Sequence, residues 1–136
     1  MIRAVVDTNL YVSALVFGGK PAAVIQLADE GAFELVVCAQ IRDELAATLT
    51  RKFGWSSDRV RHASDVLWNR ASWVVPPQLP PASRDRDDDF ILACALEAGA
   101  GFVVTGDQDL LALHPFRGIA VFTPADFLAR LSMGSR

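Results

Sequence analysis

The sequence predicts an α/β protein: a three-layer α/β/α sandwich around a mainly parallel central sheet of about five strands. Short, Val-rich apolar segments alternate along the chain with longer segments whose apolar residues recur at helical spacing. The short segments are apolar almost throughout rather than alternating with polar residues, the pattern of strands covered on both faces. With 136 residues, 51% apolar and 21% charged, residues 1–136 read as a single domain that can bury a core without disulfide or metal staples.

Ile2–Val6 is the first strand and ends at Asp7. Asn9–Phe17 is helical until Gly18-Gly19 stops it. Pro21 starts a second helix, which runs to about Glu30 and is followed by Gly31. Leu35–Cys38 is the second strand. From Gln40 to Phe53, Ile41, Leu45, Leu49 and Phe53 recur every four residues, forming one face of a helix that Gly54 ends. Ser56 or Ser57 caps the next helix, with Asp58 in its first turn and Val60, Ala63, Val66 and Leu67 as its apolar stripe. Trp73–Val75 is a third strand. Pro76, Pro77, Pro80 and Pro81 make the following connection extended. Asp85 caps an apolar helix from about Asp87 to Ala98, closed by Gly99. Phe102–Thr105 is the fourth strand, Leu110–Leu113 a helical turn and Ile119–Phe122 the fifth strand. Thr123-Pro124 starts a last helix through about Leu131.

Composition excludes several classes. The longest unbroken apolar run, Phe90–Leu96, is far short of the ~20 residues of a membrane span. Asp7 interrupts the first apolar run, so no secretory signal is expected. The two cysteines, Cys38 and Cys94, fit no metal or redox spacing, read as core residues, and suit a reducing cytoplasmic setting. The formal charge of −3 hides an uneven distribution. Asp85, Asp87, Asp88 and Asp89 lie within five positions and Asp107 and Asp109 are two apart; with these, Asp7 and Glu44 set aside, eight acids remain against thirteen bases. That is an acidic site within a basic surface, or scattered solvent-facing arginines.

In parallel sheets the ligand sits beyond the carboxyl ends of the strands, where strand order reverses. Asp7 directly follows the first strand and Asp107 the fourth. Glu44 lies one turn into the helix after the second strand, at the edge of its apolar stripe, and Asp88 in the first turn of the fourth long helix. Two like charges ~4 Å apart repel by roughly 4 kcal/mol at an effective dielectric of ~20. A hard divalent cation removes that cost, and Mg²⁺ or Mn²⁺ suits an all-carboxylate set. Such an ion activates water and stabilises charge on a phosphoryl group without a His or Cys nucleophile, and His62 and His114 lie outside the set. Asp85 and Asp87 read as helix-start residues, Asp89 as a solvated or supporting acid, and Asp109 either as a cap for the turn at Leu110 or as a support.

Four strings of the sequence resemble the PIN-domain family of nucleases: Val5-Val6-Asp7-Thr8-Asn9, Ile41-Arg42-Asp43-Glu44-Leu45, Asp85 to Ala95, and Val103 to Leu111 with Thr105-Gly106-Asp107. The segment Ile119 to Phe127 is similar to the family's last strand and helix. The resemblance implies metal-dependent cleavage of single-stranded RNA, and is closest to the bacterial and archaeal branch of toxin components of toxin–antitoxin pairs. It implies a catalytic and metal-holding set of Asp7, Glu44, Asp88 and Asp107, with Thr8, Asn9, Asp89, Thr105 and Asp109 as supports. Asp87 and Asp89 adjoin the third position, where the spacing to Ala95 favours Asp88. Asp85-Arg86 stands where relatives often have Asp-Pro, which bears on the helix start. The implied cofactor is Mg²⁺, with Mn²⁺ as a substitute, and the implied partner a small antitoxin that places a basic side chain in the site. Trp68, Trp73 and the apolar helices offer more apolar surface than a small sheet covers, which predicts a homodimer.

Other readings fare less well. A dehalogenase-like phosphatase needs a second Asp where Asn9 stands. A receiver-type signalling module needs a Lys after a late strand, where neither Lys20 nor Lys52 lies. No GxGxxG occurs, and Gly18-Gly19-Lys20-Pro21 is not a phosphate loop. An RNA-processing nuclease without an antitoxin, or a catalytically silent Mg²⁺-binding domain of the same fold, remains open. Trp55 and Trp68 with Arg51, Lys52, Arg59 and Arg61 form a basic-aromatic stretch, either an RNA surface or a packed Trp68 beside a solvated charged face.

Overall fold

A computed structural model describes residues 1–77 and 86–134, and of residues 86–89 the backbone alone. Pro80, Pro81, the expected cap Asp85 and the side chains of Asp87, Asp88 and Asp89 lie outside the described residues. In chain order the elements are β1 (Arg3–Val6), α1 (Thr8–Val16), α2 (Gly19–Asp29), β2 (Glu34–Val37), α3 (Ala39–Phe53), α4 (Ser57–Trp68), β3 (Ser72–Trp73), α5 (Arg86–Ala98), β4 (Phe102–Val104), α6 (Gln108–Leu111), β5 (Ala120–Phe122) and α7 (Pro124–Gly134).

The five strands form one sheet in the order β3-β2-β1-β4-β5, every pair parallel. The order reverses between β1 and β4: β1 pairs with β2 on one side and β4 on the other, with Val5 opposite both Val36 and Val103. Residues 4–6, 35–37 and 103–104 are buried, as their unbroken apolar character predicts. The right-handed rule for parallel crossovers sets the helices of the β1-β2-β3 direction on the face opposite α5. α1 packs on α2 and α3, and α3 on α4, while α5 packs on β1, β2 and β4.

Arg3, Glu34 and Ser72 tie the amino ends of β1, β2 and β3. Arg3 Nε donates to Glu34 Oε2 at 2.8 Å and Ser72 Oγ donates to the other carboxylate oxygen. The Ser72 hydrogen bond and the Arg3 guanidinium hold the Glu34 carboxyl below its ordinary value. Arg3 also donates to the carbonyl of Ala98 at the end of α5. That contact sets α5 antiparallel to the strands, so its first turn, residues 86–89, lies at the carboxyl edge of the sheet.

Local chemistry accounts for most element boundaries. Asp7 caps α1, Ser56 caps α4 by accepting from Arg59 N at 3.2 Å, and Thr123 accepts from Asp126 N at the start of α7. Gly54 ends α3 in the left-handed conformation at φ 67°. Most bounds differ from expectation by a residue at one end or both, as β2 does at Glu34–Val37 against 35–38, α7 runs on to Gly134, and three further differences have a local cause. α2 begins at Gly19 rather than Pro21, because a proline in the first turn gives up no helical hydrogen bond and Gly18 makes the preceding bend at φ 83°. β3 is Ser72–Trp73 rather than 73–75, because β2 offers only Val36 and Val37 as partners. α6 begins at Gln108, two residues early, because Asp107 caps it. Two stripes also close less completely than their periodicity predicts. Ile41, Leu45 and Leu49 are buried but Phe53 is 37% exposed, and α4 buries no residue fully, Val66 being 57% exposed.

Candidate active site

Asp7 and Thr105 leave adjacent strands at the same edge, because Val6 of β1 is in register with Val104 of β4. The Asp7 amide donates to Val104 O at 2.9 Å and the Thr105 amide to Phe122 O at 2.9 Å, so both residues are the first beyond their strands yet still held by the sheet. Thr105 Oγ1 donates to Asp7 Oδ2 at 2.7 Å and accepts from the Asp107 amide at 3.0 Å. Asp107 Oδ1 in turn accepts from the Asp109 amide at 2.8 Å. Asp7 Oδ1 lies 3.5 Å from the Asn9 amide, a long capping contact. One hydroxyl thus orients two acid-bearing residues, and such chained hydrogen bonds reinforce each other in a low-dielectric setting.

Asp7 is 6% exposed and Thr105 fully buried. Burial pushes the Asp7 carboxyl above its ordinary value; the Thr105 and Asn9 hydrogen bonds oppose that rise, and the charge of Asp107 adds to it. Thr8 Oγ1 is buried beside Asp7 without a hydrogen-bond partner among the described residues. A desolvated carboxylate, a second acid within electrostatic reach and an unpartnered hydroxyl make an oxygen donor set that a hard cation fits. Among the described residues no three His, Cys, Asp or Glu side chains gather as an ion-holding group; the carboxylates of Asp88 and Asp89 are not among them.

The other expected residues fall as follows. Glu44 is exposed on α3. It is close enough to act on Cys38, whose thiol is held down chiefly by a hydrogen bond with the Cys94 side chain while the Glu44 charge opposes that shift. Since Cys38 caps α3 directly after β2, Glu44 belongs to the carboxyl edge of the sheet. The backbone of Asp88 and Asp89 lies in the first turn of α5 at that edge. Asp107, not Asp109, is the cap of the turn at Leu110, because that helix begins earlier than expected. Asn9 enters through its backbone amide. Cys38 and Cys94 are free and fully buried core residues. His114 Nδ1 accepts from the Val121 amide at 2.9 Å, away from the acids. Trp68 stacks edge-on against Tyr11 at 5.0 Å and Trp73 at 6.0 Å, so it packs rather than presents a face.

A cavity of about 510 Å³ lies elsewhere, between α1, α2 and α4, lined by Leu15, Ile25, Leu35, Val66 and Leu67 with His62. It contains none of the carboxyl-edge acids. Its composition could have been read from the apolar faces of α2 and α4, but not its opening, which depends on how α4 packs.

The fold defines the class first: a parallel α/β protein whose strand order reverses between β1 and β4, the place where such sheets hold ligands. The family follows from sequence. A family model described as PIN domain matches residues 3–109, most of the chain, and the chain belongs to the PIN-domain family, a family of nucleases. The uncharacterized protein MJ1680 of Methanocaldococcus jannaschii is 26% identical over 118 residues, covering 83% of this chain and 76% of that protein. Three solved structures share the fold. VapBC2 from Rickettsia felis, bound to a DNA fragment from their promoter, aligns with a TM-score of 0.64 at 12% identity over 90% of this chain and 98% of that one. VapBC-1 from nontypeable Haemophilus influenzae aligns at 0.62 and 15% identity, over 91% and 99%. PAE2754 from Pyrobaculum aerophilum aligns at 0.58 and 19% identity, over 97% and 90%.

Proposed function

We propose that this chain is a metal-dependent endoribonuclease that cleaves single-stranded RNA, and that it is the toxin of a toxin–antitoxin pair. The observation that carries the reading is the linkage of Asp7, Thr105 and Asp107 across the point where strand order reverses. Asp7, Glu44, Asp88 and Asp107 are the carboxylates that would hold the ion, Mg²⁺ or Mn²⁺, with Thr8, Asn9, Asp89, Thr105 and Asp109 supporting them. When bound, the ion supplies a more acidic water and neutralises charge on the phosphoryl oxygens. The chain's own part is placement. Thr105 fixes the rotamer of Asp7 and the backbone of Asp107, and burial keeps water from competing for the Asp7 oxygens.

The likeness to VapBC structures supports a small antitoxin as partner. Several carboxylates at one edge would bind an Arg of that partner by charge-assisted hydrogen bonds. The same reading places the protein in the cytoplasm as a homodimer; Trp73, 46% exposed, is available for such a contact. Sedimentation of the purified chain tests it, and a monomer at tens of micromolar removes it.

The decisive experiment incubates the purified chain with unstructured RNA in Mg²⁺, Mn²⁺ or EDTA. Cleavage is expected with either ion and not with EDTA. Asp7→Asn and Asp88→Asn should each lower the rate by at least about a hundredfold, the scale of losing one electrostatic contact to the transition state, with circular dichroism unchanged. Undiminished cleavage by both variants would overturn the site. Co-purification from the native host should recover a small basic-tailed protein that binds less tightly to Asp7→Asn; its absence, with harmless expression of the chain alone, favours RNA processing.

A further inference from the structure

α1 and α3 both start at the carboxyl edge, capped by Asp7 and Cys38, and pack side by side. Their far ends carry Phe17, the residue that ends α1, and Phe53, the last residue of α3. Phe17 is 77% exposed and Phe53 meets it edge-to-face at 6.2 Å and 79°. One exposed Phe is unremarkable on a protein surface. Here, however, exposed cations flank both residues along the chain. Arg51 and Lys52 are exposed in the last turn of α3, Lys20 is exposed three residues beyond Phe17, and the Arg59 guanidinium lies 3.8 Å over the Trp55 ring just past Gly54. Arg61 is paired with Asp58, the one acid of this stretch, at 3.2 Å. Among the described residues Arg51, Lys52, Arg59 and Lys20 make no ion pair. The dipole of α3 accounts for cations in its last turn but not for Lys20, Arg59 or the uncovered ring.

We infer that this corner is a second contact site for the single-stranded RNA that the proposed nuclease site would cut, an inference that rests on that reading. Phe17 offers a ring face to one base, and Arg51, Lys52, Arg59 and Lys20 take the phosphates beside it. Phe53 stands nine positions beyond Glu44 in α3, about 13 Å along the helix. Extended RNA leaving the carboxylates along α1 and α3 crosses that span within about four nucleotides, even at the ~3.4 Å per nucleotide of a stacked strand. The structure thus replaces Trp68 by Phe17 as the stacking residue, because Trp68 is packed against Tyr11 and Trp73.

Fluorescence anisotropy of a labelled, unstructured oligoribonucleotide in EDTA reads this contact without cleavage. Arg51→Ala/Lys52→Ala should shrink the slope of log affinity against log salt by about 1.4, at ~0.7 per phosphate contact on a single strand. Phe17→Ala should weaken binding about fivefold or more with the slope unchanged, the low end of base–aromatic stacking, and Phe17→Trp should restore it. Phe17, Arg51 and Lys52 are all exposed, and an unchanged melting temperature shows that the variants fold. Wild-type affinity and slope in both variants would overturn the inference. So would Phe17→Ala splitting a dimer while RNA affinity stays the same, which would make the corner a protein contact. If wild type cleaves no RNA yet the corner variants lose affinity as expected, the nuclease reading fails and the RNA contact stands.

Discussion

A carboxylate that is 6% exposed, caps a helix and sits within the field of a second acid is costly to keep charged. The folded protein therefore holds Asp7 above the ordinary carboxylate value near 3.9. A raised acid contributes stability below its unfolded value and loses it as pH rises through the folded one. In EDTA at neutral pH, Asp7→Asn should melt at a higher temperature than wild type, and the gap should close as the pH is lowered toward 4. A gap of constant size would mean that the Asp7 charge is not its cause, and a less stable variant at neutral pH that the Thr105 hydrogen bond outweighs the burial cost. Thermal melts at a series of pH values decide it. The variant that is more stable without metal is the one expected to lose cleavage, so stability and activity part at this residue.

At the scale of elements, α3 and α4 meet at Gly54, where the chain turns with φ 67°. The Gly54 amide donates to Thr50 O and the Trp55 amide to Leu49 O, at 3.1 Å each, closing the last turn of α3. Nothing lies within 4 Å of where a Cβ would stand, so Gly54→Ala is a test of backbone strain alone. It should cost about 1 kcal/mol, seen as a lower urea midpoint at constant slope. A much larger loss would show that Trp55 and its stacked Arg59 shift with the turn. α4 itself carries little of the core; its half-covered stripe opens the cavity on α1 and α2. Substitutions of Val66 should therefore perturb stability less than those of Leu45 or Leu49.

For the whole molecule, an ion that binds only the folded state stabilises it by RT ln(1 + [L]/Kd), about 2.7 kcal/mol at a hundredfold excess over Kd. Millimolar Mg²⁺ or Mn²⁺ should raise the melting temperature of wild type, and the Asp7→Asn/Asp88→Asn double variant should show no such rise. An equal rise in both would place the ion elsewhere. The fold suits the proposed coupling, because Asp7 follows β1, Glu44 lies in α3, Asp88 in α5 and Asp107 beyond β4, so one ion held by them would tie separate segments together. Among the described residues no single helix is long and apolar enough to cross a membrane.

Local sequence was enough to read the kind and order of the elements and several of the residues that cap or stop them, although not every boundary. Helical and strand periodicities, caps such as Ser56 and Thr123, and the stop at Gly54 are local, so a few neighbouring residues decide them. That Asp7 and Asp107 follow strands was legible for the same reason. The assembled sheet is what sets β1 between β2 and β4, and hence lets Thr105 donate to Asp7 across 98 residues of chain. No local propensity encodes that bond; it exists because Val6 and Val104 share a register. Tertiary packing likewise left Phe53 exposed although its spacing matches that of Ile41, Leu45 and Leu49, and turned Trp68 inward against Tyr11. Periodicity marks one face of a helix, but how far the neighbouring elements reach along that face is set by their lengths and crossing angles, which only the assembled molecule fixes.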